Sequence, residues 1–314
     1  LVDKSEPTES FVFLRGNPGR RGEKIVRRVP HVLGGEHVDK QTSGRLDLAE
    51  MIVDPKNPLT ARVFVNWVWT HHFGQGLITT PGDLGLRGEP PSHPELLDDL
   101  ARRFVEDGKW RIGWLHREII FSQAWRQSST AKPETLASDP DNMFYSRSRR
   151  RRLSWEAWRD SLLMAAGTLE LDARGGPGMN PLDPDNGARR TLYSWVDRQD
   201  VPGVLRTFDI ANPDTAVHVR STTLVPQQGL VMLNSSLVID AAKKVADRLL
   251  EESNTQARIK QLWRIVLARS PQRDEIQMVQ EWIERSSGSS SDEFGVWPQL
   301  AQALMSTAEF QYVD

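Results

Sequence analysis

The residues best suited to hold a metal or move a proton are seven histidines, His31, His37, His71, His72, His93, His116 and His218. A helical two-ligand clamp needs His at i and i+4, because those side chains share a face. No such pair occurs. His71 and His72 are adjacent, about 100° apart around a helix, which is awkward for one ion. Near a helix C-terminus their imidazoles are favoured by its dipole instead. A metal site would need His71 or His72 with Asp83 or Glu89 from the following loop, and the expectation is no metal. Nucleophiles are scarcer still. The chain has no G-x-S-x-G elbow, no S-x-x-K and no Walker loop. With no cysteine it has no thiol nucleophile, disulfide, zinc–thiolate or iron–sulfur ligand, and no C-x-x-C-H for a c-type haem. No cofactor is therefore expected on this chain.

Charged side chains offer more. Glu156 and Asp160 sit at i and i+4, the spacing of an acid and base on one helix face. Arg159 and the Arg-dense stretch Arg147, Arg149, Arg150, Arg151, Arg152 lie beside them, so an ion-pair network is the better reading. Guanidinium groups bind phosphate, sulfate or carboxylate through two parallel hydrogen bonds. Arg189 and Arg190, with Arg206 and Arg220, could converge on one anion or on acids of this same chain. Its 42 acidic residues make internal pairing the default. Eleven Trp against three Tyr is an unusual ratio. Trp110/Trp114 and Trp155/Trp158 have helical spacing and Trp67 lies on an apolar stripe, so most are expected in the core. Trp69, Trp195 and Trp297 are the candidates for exposure and stacking.

The elements that must position these residues are mainly helical. Residues 1–44 form a lead-in with short strands at Phe11–Leu14 and Glu23–Val29, and Gly34-Gly35 precedes the first helix. Residues 45–250 make the main helical domain. Leu46, Leu48, Ala49, Ile52 and Val53 give one apolar face. Asn57 caps a helix with Pro58 first, which runs to Gly74 as a left-handed stop. Ser92-His93-Pro94-Glu95 has the capping-box spacing, Ser92 accepting an amide and Glu95 reaching back. Further helices are expected over 112–127, 153–166 and 237–250. Residues 74–92 form a long Gly/Pro-rich loop, a common place for function. Turns are expected at Gly175-Gly176-Pro177-Gly178 and Asp183-Pro184-Asp185-Asn186-Gly187, and a strand at Thr191–Val196. Residues 251–314 form a C-terminal helical subdomain, with Ser270 capping its second helix and Ser286–Ser291 as a connector. The expected fold is mainly α, a multi-helix orthogonal bundle with a few short β-strands.

With 314 residues and 38% hydrophobic content the chain can bury a real core. Forty Lys+Arg against 42 Asp+Glu, a net charge of −2, argues against nucleic acid as a partner. No apolar run reaches the ~18 residues of a membrane span. The chain begins at Leu1 and reads as a piece of something longer.

The segments also resemble a known family. Asn57-Pro58-Leu59-Thr60-Ala61-Arg62, then Asn66-x-Val68-Trp69-x-His71-His72-Phe73-Gly74-x-Gly76-Leu77 and Thr80-Pro81-x-Asp83-x-Gly85, are followed by Gly88-Glu89-Pro90-Pro91-Ser92-His93-Pro94-Glu95-Leu96-Leu97-Asp98. Ser122-x-x-Trp125-Arg126-Gln127-Ser128-Ser129, Arg150-Arg151-Arg152-Leu153-x-x-Glu156-x-x-Arg159-Asp160 and Arg189-Arg190-x-Leu192-Tyr193 continue in order. Phe208-Asp209, Arg220-Ser221-Thr222-Thr223 and Pro226-Gln227 complete the set. Together they resemble the planctomycete-specific domain of unknown function 1553, over essentially the whole chain. That resemblance implies an exported multidomain protein, at the periplasm or cell surface, with a cytochrome-c-like domain elsewhere in it. It implies no reaction. Many relatives carry a Cys shortly before the arginine matching Arg220, where this chain reads Ala216-Val217-His218-Val219.

Three functions follow as expectations. The first is a binding or scaffolding module with no chemistry of its own, partnered by the other domains of its parent. The second is an enzyme or binding site acting on complex or sulfated polysaccharide, with His72, Asp83, Glu89 and His93 lining it and Arg150, Arg152, Arg190 and Arg220 binding the anion. The third is docking of the cytochrome-c-like domain through exposed Trp.

Overall fold

The computed structural model describes residues 8–33, 42–183, 187–286 and 295–313. Gly34-Gly35, the Pro184–Asn186 part of the polar turn and most of the Ser286–Ser291 connector lie outside them. The fold is mainly α: among the described residues, helices carry the structure and the only sheets are two short two-stranded pairs. The chain divides into two compact units, one ending at Ser148 and one beginning at Arg149.

The first unit opens on an antiparallel hairpin, β1 (Ser10–Phe13) with β2 (Arg21–Ile25), in register Ser10↔Ile25 and Phe11↔Lys24. Strand β2 starts and ends earlier than the Glu23–Val29 expected. Helix α1 (Arg45–Val53) buries none of its residues, and Leu46 is 70% exposed. Helix α2 (Thr60–Phe73) begins two residues later than the Pro58 expected after an Asn57 cap, because Asn57 Oδ1 accepts from Leu59 N at 3.0 Å and closes a turn before the helix. It stops at Gly74, whose φ of 78° is the left-handed region glycine enters without penalty.

Helices α3 (Pro94–Glu106) and α4 (Ile112–Ile120) pack on α2. Val65, Trp69, Phe73, Leu97, Phe104 and Leu115 form their shared core. Helix α4 ends at Ile120, well short of residue 127. Ser122 Oγ donates to Ile119 O at 2.7 Å and accepts from Trp125 N, so its hydroxyl takes the backbone groups the helix would have used. The tryptophans of α2 are the reverse of expectation: Trp67 is 42% exposed and Trp69 6%. The helix is apolar on most sides, so the burying face is chosen by α3 and α4 and not by a stripe. A short helix, α5 (Pro133–Ser138), closes this unit.

The second unit is built on α6 (Trp155–Ala166) and α9 (Ser236–Leu249). Strand β3 (Arg151–Arg152) precedes α6, and the short helices α7 (Gly203–Thr207) and α8 (Pro226–Asn234) come between α6 and α9. After α9 come α10 (Thr255–Leu267), α11 (Arg273–Ser286), α12 (Val296–Met305), α13 (Ala308–Gln311) and β4 (Tyr312–Val313). The C-terminal helices share one core with α6 and α9, in which Trp155, Trp158, Leu162, Val245, Leu262 and Met305 are buried. Strand β4 pairs antiparallel with β3, returning the chain end to the head of the unit. Helix α6 is capped by Ser154 and ends at Gly167, with φ 73°.

Two local expectations are corrected. Thr191–Val196 is not a strand. Thr191–Tyr193 is a 3-10 turn, and the segment's only pairing is a parallel bridge from Ser194 to Met179. Asp160 Oδ1 accepts from both Thr191 N (2.8 Å) and Thr191 Oγ1 (2.6 Å), holding the segment to α6 where a strand would need a neighbouring edge. Ser270 does not cap α11; Gln272 N donates to Glu275 Oε2 at 2.6 Å, so the reach-back carboxylate caps a helix starting two residues later.

Candidate functional site

In the first unit the 74–93 loop is fastened to α2 by one buried amide. Asn66 is fully buried; its Nδ2 donates to Ile78 O at 3.1 Å and its Oδ1 accepts from Ile78 N at 2.8 Å. The side chain thus replaces a missing strand partner for Ile78. Gly76 allows the approach, because a Cβ there would sit 2.6 Å from Ile78 O and 2.7 Å from Asn66 Oδ1. Sequence reading missed Asn66 as a positioning residue. The signals available were a polar side chain between apolar neighbours and its place in the motif that begins Asn66-x-Val68-Trp69.

The loop's own candidates take separate places. Asp83 Oδ1 accepts from Gly85 N at 2.9 Å, and Thr80 Oγ1 joins the turn by accepting from Glu89 N and donating to Asp83 O. Glu89 thus enters this turn through its backbone. Ser92 does not cap α3. His93 holds the N-cap position and no side chain caps it. Pro94 occupies the first turn, and Ser92 Oγ donates to Leu77 O at 3.3 Å, while His93 Nδ1 lies 3.0 Å from Ser92 Oγ. His93 also lines a hollow of about 390 Å³ with Ser92, Asp139, Asp141, Met143 and Phe144. His72, Asp83 and Glu89 are not among its walls. Burial alone would raise the Asp139 carboxyl, but hydrogen bonds from Ser146 Oγ and the Met143 and Phe144 amides win and hold it below the usual range.

His72 meets His116 instead. Its Nε2 is 2.7 Å from His116 Nδ1, one nitrogen donating and the other accepting, with Trp125 edge-on at 6.2 Å. His116 was outside the expected set, because a partner 44 positions away leaves no local spacing to read. Among the described residues no three His, Asp or Glu side chains group as metal ligands.

In the second unit the candidates Arg152, Arg190 and Arg220 meet acids. Arg152 forms a buried hub: its guanidinium is 3.2 Å from Asp209 Oδ2, donates to Gln228 Oε1 (2.6 Å) and Thr223 O (2.5 Å), and lies over the Phe208 ring. Asp209 also accepts from Thr223 N and Oγ1, at 2.9 and 2.7 Å. Its φ of 60° is left-handed, a conformation Asp tolerates better than most residues. Arg220 and Arg190 come to one face of α6. Arg220 Nη1 donates to both Glu156 oxygens at 2.8 and 3.0 Å, and Arg190 Nε lies 3.5 Å from Asp160. Burial would raise the Glu156 carboxyl, but the Arg220 hydrogen bond overcomes it and lowers the pKa. Arg150 lies over Tyr312 at 6.0 Å. Arg159 is fully buried and donates to the Pro181, Gly187 and Arg189 carbonyls and to Thr191 Oγ1. Burial lowers its pKa, with Asp160 opposing.

His72, Asp83, Glu89 and His93 therefore belong to the first unit, and Arg150, Arg152, Arg190 and Arg220 to the second. The family model PSD1, described as a protein of unknown function (DUF1553), matches residues 44–283. The chain belongs to that family. No curated protein and no solved structure matches it.

Proposed function

We propose that this DUF1553 member is a binding module without chemistry of its own, working beside the other domains of an exported protein. One observation supports the reading most. The side chains that resemble catalytic or anion-binding groups are engaged within the chain: Arg152 on Asp209, Arg220 on Glu156, Arg190 on Asp160, His72 on His116, Asp83 in its own turn. A catalyst needs a group whose reactive atom faces substrate and whose neighbours tune it. Here those neighbours hold the groups in place. The resemblance of the motifs leads us to put the module at the periplasm or cell surface, with a cytochrome-c-like domain among its partners. Incubation of the chain with polysaccharide and glycoside panels should give no turnover. Turnover that a single substitution abolishes overturns the reading.

A second reading, a subsite for complex polysaccharide, is favoured by the hollow at His93. Phe144 is 72% exposed at its rim, 6.2 Å from the His93 ring, and Asp141 stands beside it. An aromatic face with polar neighbours suits the apolar face and hydroxyls of a sugar ring. Phe144→Ala should abolish retention on an immobilised polysaccharide that the unaltered chain binds; equal retention removes this reading.

A further inference from the structure

We infer that the second unit carries a separate binding site for an oxyanion, a carboxylate, sulfate or phosphate group, centred on Arg206. The site is a hollow of about 410 Å³ whose polar walls are Arg198, Arg206, Asp209, Asn212, Asp214 and Ser221. Its strongest acceptor is engaged and its other carboxylate faces a cation. Both Asp209 oxygens are taken by Arg152 and Thr223 on the far side of the hub, and Asp214 faces Arg198 Nε at 3.9 Å. Asn212 Oδ1 accepts from Asp214 N at 3.0 Å.

Its donors are not spent. The Arg206 guanidinium stands at the C-terminal end of α7, and neither it nor the Ser221 hydroxyl is engaged by any partner among the described residues. Arg152 and Arg198 offset Asp209 and Asp214, so Arg206 is the surplus cation. A wall with donors to spare, few acceptors and one positive charge beyond neutrality selects a ligand that accepts hydrogen bonds and is negative. The planar fork of arginine further favours two oxygens on one centre.

The backbone at this place has a matching feature. Asp209, at φ 60°, is one of the few non-glycine residues in the left-handed region, and the Arg152 hub fixes it there. Strained backbone of this kind is kept where the surroundings overdetermine it, and it sets the wall from which the hollow opens. Arg206 differs from Arg152, Arg189, Arg190 and Arg220, which all meet partners inside the chain. The inference rests on the binding reading only in treating the hollow as a place of binding; turnover assays decide that reading and leave this one standing.

The test is isothermal titration of the full chain with sodium sulfate, phosphate and acetate, at ionic strength held constant with chloride. Saturable binding of at least one oxyanion is expected. Arg206→Gln should weaken it about tenfold, the loss of one charge-assisted contact, and Arg206→Lys should restore part of it. Arg206 is exposed, so an unchanged melting temperature of Arg206→Gln without anion shows that the fold is intact. Absence of saturable binding for all three salts, or equal binding by the intact Arg206→Gln chain, overturns the proposal. Dextran sulfate beside plain dextran separates the sources. Arg206-dependent binding of the sulfated polymer identifies an anion carried on a larger molecule, and binding of the inorganic salts alone identifies a free ion.

Discussion

At the scale of single residues, the most consequential contact is Arg152 with Asp209. The two side chains are 6% and 10% exposed, so each charge is largely removed from water and depends on the other. Removing one partner of a buried pair leaves an uncompensated charge, which costs about 3–5 kcal/mol. Asp209→Ala should therefore lower the unfolding free energy by that amount in urea titration. Asp209→Asn should cost less, because Asn tolerates left-handed backbone and keeps an acceptor for Thr223. Equal losses for the two variants would show that the ion pair, and not the backbone conformation or the Thr223 contacts, carries the energy. None of this pairing was legible beforehand. Phe208-Asp209 and Arg152 stood out as motif residues, but 57 positions separate the partners, and only the folded chain brings a left-handed Asp against an arginine from β3. The expectation that acids would meet the arginines was legible from their near-equal numbers. Which acid meets which arginine, and that Arg206 meets none among the described residues, was not.

At the scale of elements, helix ends were readable where one residue type decides them. Gly74 and Gly167 stop α2 and α6 because only glycine enters the left-handed region freely. A segment decided by a side chain reaching across the fold was not readable, as the capture of Thr191 by Asp160, 31 positions away, shows; the cap of α11 by Glu275 on Gln272 N is local, three residues apart. Asn254 is a cap of the local kind, its Oδ1 accepting from Ala257 N at 2.9 Å. Asn254→Ala should destabilise the protein by about 1 kcal/mol in thermal or urea unfolding, and a neutral result would mean that water serves that amide equally well.

Arg269 ties two elements together. It donates to both oxygens of Glu275 at the head of α11 and to those of Glu309 on α13, at 2.5–2.8 Å. The Arg269 hydrogen bond, helped by the Gln272 amide and opposed by burial, holds the Glu275 carboxyl down to about 2. A folded pKa below the unfolded value, about 4.3, means stability that is fully present above that value. It is lost as pH falls from there toward about 2. Unfolding free energy measured across that window should fall less steeply in Glu275→Gln than in the unaltered chain; parallel slopes would remove Glu275 from the acid response.

At the scale of the whole molecule, the division at Ser148/Arg149 sets how stability is organised. Residues 149–314 hold their own core, with α6 and α9 packed beside α10 and α12, and the β3–β4 pair joins the two ends of this stretch. A chain of about 150 residues buries ~68–70% of the surface its unfolded form exposes, enough for a cooperative fold. Expressed alone, residues 149–314 should be helical by circular dichroism and melt in a single transition. The fluorescence of Trp155, Trp158 and Trp263, all buried, should start blue-shifted and move red across that transition, with exposed Trp195 as a constant background. Leu262 is fully buried in this core, so Leu262→Ala should lower the stability of the isolated stretch by about 2–5 kcal/mol. A gradual melt with red-shifted emission at the outset would mean that this core forms only with the first unit present. In that case the family's matched region, which runs from residue 44 to 283 across both units, would be a single folding body.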